Sequence, residues 1–201
     1  MYTETEIKFH VTDLDKLAAR LQTLGATLTS PRTHETNLRF DTPAETLAAQ
    51  SCVLRLRRDA ESRLTFKGAS TNEAGVVSRE EIEFSVSDFD AAQLFLERLG
   101  YHAVSVYEKY RTSYALGEIH FDLDEMPYGN FLEIEGKDIE NIRLVAEELS
   151  LQWDAAVRMG YLTIFRKLRK NAGLIASALT FSAFAGELAE FDKIDIVPAD
   201  Q

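Results

Sequence analysis

The sequence predicts an α+β domain: an eight-stranded antiparallel β-barrel with helices packed outside. Three observations carry that prediction. Eight segments alternate apolar and polar residues with the period of a strand. Segments with the helical period lie between some of them. Sorted by parity, each strand has one apolar face and one face that is charged at nearly every position.

Residues 2–9 read as the first strand. Residues 13–25 follow as a helix, with Leu14, Leu17, Leu21 and Leu24 on one stripe, Thr12-Asp13 as the opening and Gly25 as the stop. Pro31 reads as a breaker before a strand at 34–41, and strands follow at 52–58, 62–68 and 77–86, with Asn72 and Gly75 ahead of the last. Residues 88–99 repeat the earlier helix, carrying Phe89, Leu94, Phe95 and Leu99 between Ser87-Asp88 and Gly100. Strands at 104–116, 118–125 and 131–137 complete the set, turned by Gly117 and by Met126-Pro127-Tyr128-Gly129. Further helices read at 138–150 and roughly 158–170. Strands this closely spaced pair antiparallel with their neighbours. Strand, Asp-capped helix, Gly and strand occur twice, which hints at two related halves.

A length of 201 residues fits one domain, here 1–170, with a tail at 171–201 docking on the same domain. In that tail Phe184, Leu188 and Phe191 could cover an apolar surface, and Leu179-Thr180-Phe181 could be extended. Hydrophobic content of 45% and charged content of 27% exclude collagen, coiled coil and wholesale disorder. A net charge of −11 disfavours gripping a nucleic-acid backbone, and no basic exterior signal stands out. Cys52 is alone, so neither an internal disulfide nor a cysteine metal cage can form. The start lacks a basic segment followed by an apolar one, so no signal peptide is expected. The longest uncharged stretch, between Lys170 and Glu187, is shorter than the about 20 apolar residues a bilayer span needs. The expected location is the cytoplasm, with no membrane partner.

The charged faces carry the chemistry. If helices cover the apolar outside, the charged face points into the lumen, and eight strands suffice to enclose a small ligand. Unpaired charge buried dry is heavily penalised, so such a lumen is reasonable when wet and holding a charged ligand with metal ions. Inward cations are Lys8, Arg39, Arg55, Arg57, Lys67, Arg79, Lys109 and Arg111. Arginine grips phosphate oxygens with a two-pronged fork and lysine acts as a point charge, so this set suits a polyphosphate. Inward carboxylates are Glu4, Glu6, Glu81, Glu83, Asp122, Asp124, Glu133 and Glu135. Carboxylates suit hard cations such as Mg²⁺ or Mn²⁺, which also bridge phosphate oxygens. An internal salt-bridge lattice without ligand is the plainer alternative.

At this point the residues resemble a known family. Glu4-Thr5-Glu6-Ile7-Lys8 is similar to the Glu-x-Glu-x-Lys signature of the CYTH superfamily, the triphosphate tunnel metalloenzymes. Leu54-Arg55-Leu56-Arg57, Leu64-Thr65-Phe66-Lys67-Gly68, Arg79-Glu80-Glu81-Ile82-Glu83, Lys109-Tyr110-Arg111 and the run from Asp122 to Gly136 resemble its later strands, in order. The likeness covers roughly 1–170. It implies a metal site from Glu4, Glu6, Glu133 and Glu135, with Asp122 as a further ligand. It implies triphosphate contacts from Lys8, Arg55, Arg57, Lys67, Lys109 and Arg111, with Arg39 and Arg79 added by parity. Lys8, Lys67 and Arg111 are the catalytic candidates. Glu81 and Glu83 could orient the arginines or bind a second metal. One departure stands out: Arg39-Phe40-Asp41 lacks the tyrosine that many members carry before the aromatic-Asp pair.

The resemblance implies metal-dependent hydrolysis of inorganic triphosphate, thiamine triphosphate or a nucleoside triphosphate. The alternative is class IV adenylate cyclase chemistry, and a non-catalytic polyphosphate-binding module ranks third. Some relatives are dimers, and the apolar tail could serve such a contact. His120 could be a base but reads better as a polar neighbour at the barrel mouth. Trp153 reads as core rather than as a platform for a nucleobase.

Overall fold

The structure, a computed structural model, describes residues 2–73, 76–184 and 187–201, with the side chains of 2–4, 71–73 and 76–78 outside that description. Gly75 and the side chain of Glu4 therefore lie outside the described set. The elements run β1 (Tyr2–Val11), α1 (Leu14–Thr23), β2 (Thr27–Asp41), α2 (Thr46–Ala49), β3 (Val53–Arg58), β4 (Ser62–Lys67), β5 (Thr71–Glu73) and β6 (Val76–Val86). They continue as α3 (Phe89–Arg98), β7 (His102–Leu116), β8 (Ile119–Met126), β9 (Gly129–Gly136), α4 (Ile139–Glu148) and α5 (Tyr161–Asn171).

All strand pairs are antiparallel, in the order β1-β9-β8-β7-β2-β3-β4-β6, with short β5 also on β6. β1 pairs on its other side with β6, from Tyr2 opposite Glu81 to Glu6 opposite Val77. The ladder thus returns to its first strand, and the eight long strands make a barrel-like sheet.

Three helices begin alike. Asp13, Asp88 and Asp138 are extended at their N-caps, and each accepts a hydrogen bond from the N–H three residues on. That satisfies one of the amides a helix start leaves free. α1 and α3 then end before Gly25 and Gly100, at φ +88° and +91°, in the left-handed region where glycine is unstrained. β2 and β7, the strands after these helices, are both 15 residues long and pair with each other.

The helices bury the apolar face of the sheet. Ile7, Phe9, Leu132 and Ile134 pack with Leu17 and Leu21 of α1, with Ile142 of α4 and with Leu149 at its C-terminal cap. Phe40 and Leu56 pack with Phe89 and Leu96 of α3. Each such side chain contributes about 1.5–3 kcal/mol on leaving water. A third cluster joins α5 to Tyr128, Phe131 and the tail residues Leu174, Leu179, Phe184, Ile194 and Ile196. Asp200 fastens the end of the tail, accepting from the N–H groups of Thr12 and Asp13 and from the Thr12 hydroxyl. No helix among the described residues is long and apolar enough to cross a membrane.

Several local expectations need correction. Pro31 does not end a strand: β2 runs through it, with register shifts on either side of Ser30. Proline lacks an N–H, and the irregular ladder there does not require one. The second strand is therefore longer than 34–41. α2, a single turn, and β5 carry too little periodicity to be read. Trp153 lies beyond α4 in a 3₁₀ turn and packs edge-to-face on Phe9 at 6.3 Å. Of the segment Leu179-Thr180-Phe181, Leu179 alone makes a strand-like bridge, to Tyr107.

Candidate functional site

Because side chains alternate across a strand, the register fixes what faces the lumen. β1 supplies Glu6 and Lys8, opposite Glu135 and Glu133 of β9. β8 supplies His120, Asp122 and Asp124, the first two opposite Glu135 and Glu133. β7 and β2 supply Tyr107, Lys109 and Arg111, and Glu35, Asn37 and Arg39. β3 adds Arg55 and Arg57, β4 adds Thr65 and Lys67, and β6 adds Arg79, Glu81 and Glu83. These walls and the Val157–Thr163 segment at the start of α5 enclose a cavity of about 420 Å³.

All the cations named from sequence line this cavity, as do Glu6, Asp122, Glu133 and Glu135. Lys8 meets Glu133 at 2.7 Å, Lys67 meets Glu81 at 2.8 Å and Arg79 meets Glu6 at 3.2 Å. Arg111 reaches Asp122 at 2.5 Å and Glu133 at 2.6 Å, and holds both oxygens of Asp124. Burial alone would discharge Lys8, but Glu133 and Glu6 outweigh it and raise its pKa. Burial likewise opposes the charge of Arg111, and Asp122, Asp124 and Glu133 override it. Burial would protonate Glu133, yet Lys8, Arg111 and Lys109 hold its pKa well below the usual range. Their neighbours therefore keep Lys8, Arg111 and Glu133 ionised, whereas burial raises the pKa of Asp122 despite Arg111.

Beneath the cavity lies a second layer, in which the sequence reading named Asp124 but missed Glu35. Glu35, 3% exposed, sits between Arg57 at 3.8 Å and Lys109 at 3.5 Å. Burial pushes its pKa up, but Lys109, Arg111 and Arg57 bring it down to about 2. Asn37 is fully buried, and neither of its amide atoms has a hydrogen-bond partner among the described residues. Asp124, also fully buried, accepts from Lys109 at 3.0 Å and from the Tyr161 hydroxyl at 2.7 Å. Parity could have found Glu35, two positions before Asn37, and Tyr107, two before Lys109. Tyr161 and Arg158 come from a helix start that no strand pattern reaches. Tyr107 faces the cavity beside Arg55, and despite its burial Arg55 and Lys109 lower its pKa.

Arg39 differs from the other cations. Burial lowers its pKa most; Tyr107 favours its charge, while Arg166, Arg79 and Arg55 lower it further. Asp41 shares the parity of Arg39 but leaves the lumen. A register shift between Arg39 and Phe40 turns it aside, and it accepts from the N–H groups of Thr42, Leu47 and Ala48.

The donor set fits a hard divalent cation. Glu6 and Glu135 are opposite each other on neighbouring strands, and a cation between like charges so placed relieves their repulsion; Arg79 meets Glu6 from one side, and hard oxygen donors like these suit a divalent ion. Among the described residues, though, no three acidic, histidine or cysteine side chains converge as a preformed metal cage. Asp122 and Glu133 lie against Arg111 instead.

Fold and lumen together define a helix-clad β-barrel that concentrates cations and carboxylates on one small cavity. The chain belongs to the CYTH domain family, which matches residues 2–171. It is 27% identical to the adenylate cyclase CyaB of Aeromonas hydrophila, over 90% of this chain and 92% of that one. A Vibrio parahaemolyticus structure superposes with a TM-score of 0.72 at 23% identity, covering 81% of this chain and 97% of its own. A Pyrococcus horikoshii OT3 structure gives 0.68 at 25% identity, covering 80% and 98%.

Proposed function

We propose that this protein hydrolyses a triphosphate held in the barrel, in a divalent-metal-dependent reaction. The observation that supports this most is one cavity lined by Arg55, Arg57, Lys67, Lys109 and Arg111 together with Glu6, Asp122, Glu133 and Glu135. Cations alone would suit a binding module; carboxylates beside them suit metal-assisted phosphoryl chemistry.

Glu6, Asp122, Glu133 and Glu135, with Glu4 as named from the sequence, would hold Mg²⁺ or Mn²⁺. When bound, such an ion supplies Lewis-acid neutralisation of phosphate oxygens. The chain's own residues do the rest. Arg55, Arg57, Lys67 and Arg79 grip the phosphate oxygens from one wall, and Lys8, Lys109 and Arg111 from the other. Water attacks the terminal phosphorus in line, the bond to the bridging oxygen breaks, and the clamp stabilises charge on the leaving phosphate. Glu81 and Glu83 orient Lys67, Arg55 and Arg57 through contacts of 2.8–3.6 Å.

A second reading is cyclisation of ATP to cyclic AMP and pyrophosphate. The name of the Aeromonas relative favours it. The apolar side chains Val53, Val157, Met159 and Leu162 on the cavity wall could seat a base.

A product assay separates the readings. The full chain is incubated with ATP, thiamine triphosphate or inorganic triphosphate and Mg²⁺ or Mn²⁺, with Glu6→Gln run alongside. Orthophosphate that the variant fails to release supports hydrolysis. Cyclic AMP with pyrophosphate supports the cyclase. Binding of triphosphate without any product leaves a binding module.

A further inference from the structure

The net charge of −11 hides a local exception. Between Asp154 and Glu187 there is no acidic residue, and the cationic ones are Arg158, Arg166, Lys167, Arg169 and Lys170. All five are exposed, and among the described residues none is in an ion pair within 4.0 Å. A helix's last turn favours cations, which accounts for Arg169 and Lys170. It does not account for Arg158, which precedes α5, or for Arg166 and Lys167 in its middle.

Placement relates these cations to the cavity. Arg158 and Thr163 are on its wall. Arg166, Lys167 and Lys170 follow Thr163 by three, four and seven residues, which puts them on the same side of α5. At a rise of about 1.5 Å per residue the stripe runs roughly 10 Å from the cavity wall. Its near end is close enough for Arg166 to disfavour the charge of Arg39, which is on the cavity wall and, among the described residues, has no carboxylate within 4.0 Å.

We propose that this stripe is a binding track for the outer part of a linear polyphosphate whose end is held in the cavity. The inference rests on the reading of the cavity as a triphosphate clamp. Continuity selects the ligand. A phosphate chain is narrow enough to occupy the lumen and anionic enough to follow the stripe outward. A membrane surface could meet the stripe but not the lumen.

The test compares inorganic tripolyphosphate with a linear polyphosphate several times longer, at equal total phosphate. The proteins are the wild-type full chain and the double variant K167A/K170A, whose two positions are on the stripe, exposed and outside the cavity. Wild type should bind the longer chain more tightly, with a steeper loss of affinity on adding salt. The double variant should lose about fivefold for the longer chain, at the usual scale of exposed charge contacts, and bind tripolyphosphate within about twofold of wild type. Equal binding of both lengths by wild type overturns the proposal, as does unchanged long-chain binding by the variant. Single-stranded RNA without a triphosphate, or anionic phospholipid vesicles, binding as tightly and with the same loss in the variant, also overturns it. Failure of wild type to bind tripolyphosphate refutes the clamp reading instead. Variant-sensitive binding of the longer chain would then place polyphosphate on the stripe alone and overturn the proposed continuity.

Discussion

Tyr161, at the first turn of α5, donates its hydroxyl to Oδ2 of Asp124 at 2.7 Å, and Asp124 has no exposed surface. The same carboxylate holds Lys109 and both prongs of Arg111. A helix outside the barrel is thereby tied to the cations inside it. Asp124 does not line the cavity; it orients groups that do.

Tyr161→Phe removes one hydrogen bond to a buried carboxylate. Burial, then Asp124 and Glu133, raise the phenol's pKa well above its usual value, so it stays a donor at working pH. The expected loss is about 2 kcal/mol, or a fall in Tm of roughly 4–8 °C for a chain of this size. Calorimetry checks it; an unchanged Tm would mean the bond contributes little.

Glu35 gives the fold a dependence on acid. Its pKa is depressed from 4.5 to about 2, so it stabilises the folded state above the unfolded value. That contribution, on the order of 3 kcal/mol, drains away as pH falls from about 5 towards 2. Glu35→Gln should flatten the stability curve in this window. It should also lower stability at neutral pH, because Arg57 and Lys109 lose their shared anion. Denaturant titrations across that pH range decide the matter.

Arg55→Ala removes one arm of the clamp. If Arg55 acts as one preorganised donor to the phosphates, kcat falls about 10²–10³-fold. Arg55→Lys restores charge without the fork, so it should recover only part of that loss. Steady-state kinetics on the best triphosphate substrate, with the melting curve as control, would show it. Full activity in Arg55→Ala would remove Arg55 from the clamp.

Asp200→Ala tests the tail. The carboxylate ties residue 200 to Thr12 and Asp13, a cap-like arrangement for which about 1 kcal/mol is typical. Hydrogen exchange should accelerate over Phe191–Ile194 and leave β1 and β9 unchanged. Equal protection in the variant would mean the apolar contacts of the tail suffice without it.

The lumen was legible because a strand's period of two is strict. Parity alone put Lys8, Arg55, Lys67, Lys109, Arg111 and Glu133 on one side and Leu56, Leu132 and Ile134 on the other. Parity failed at Asp41, where a register shift rotates the strand, and Pro31 misled because an irregular ladder tolerates it. The helix starts at Asp13, Asp88 and Asp138 were legible because a cap is a local bond, made within three residues.

The sequence by itself determined the long strands and the helices longer than one turn, their inward and outward faces and most of the charge in the lumen. Each of these depends on residues a few positions apart. Tertiary structure decided which charges meet: that Arg111 spans Asp122, Asp124 and Glu133, that Glu35 serves two cations, that Arg39 faces other arginines, and that Tyr161 enters from a distant helix. Arg111 meets Asp122 and Asp124 across the β7–β8 hairpin; the other pairings join elements far apart in the chain. They follow from register and closure, which no local pattern encodes.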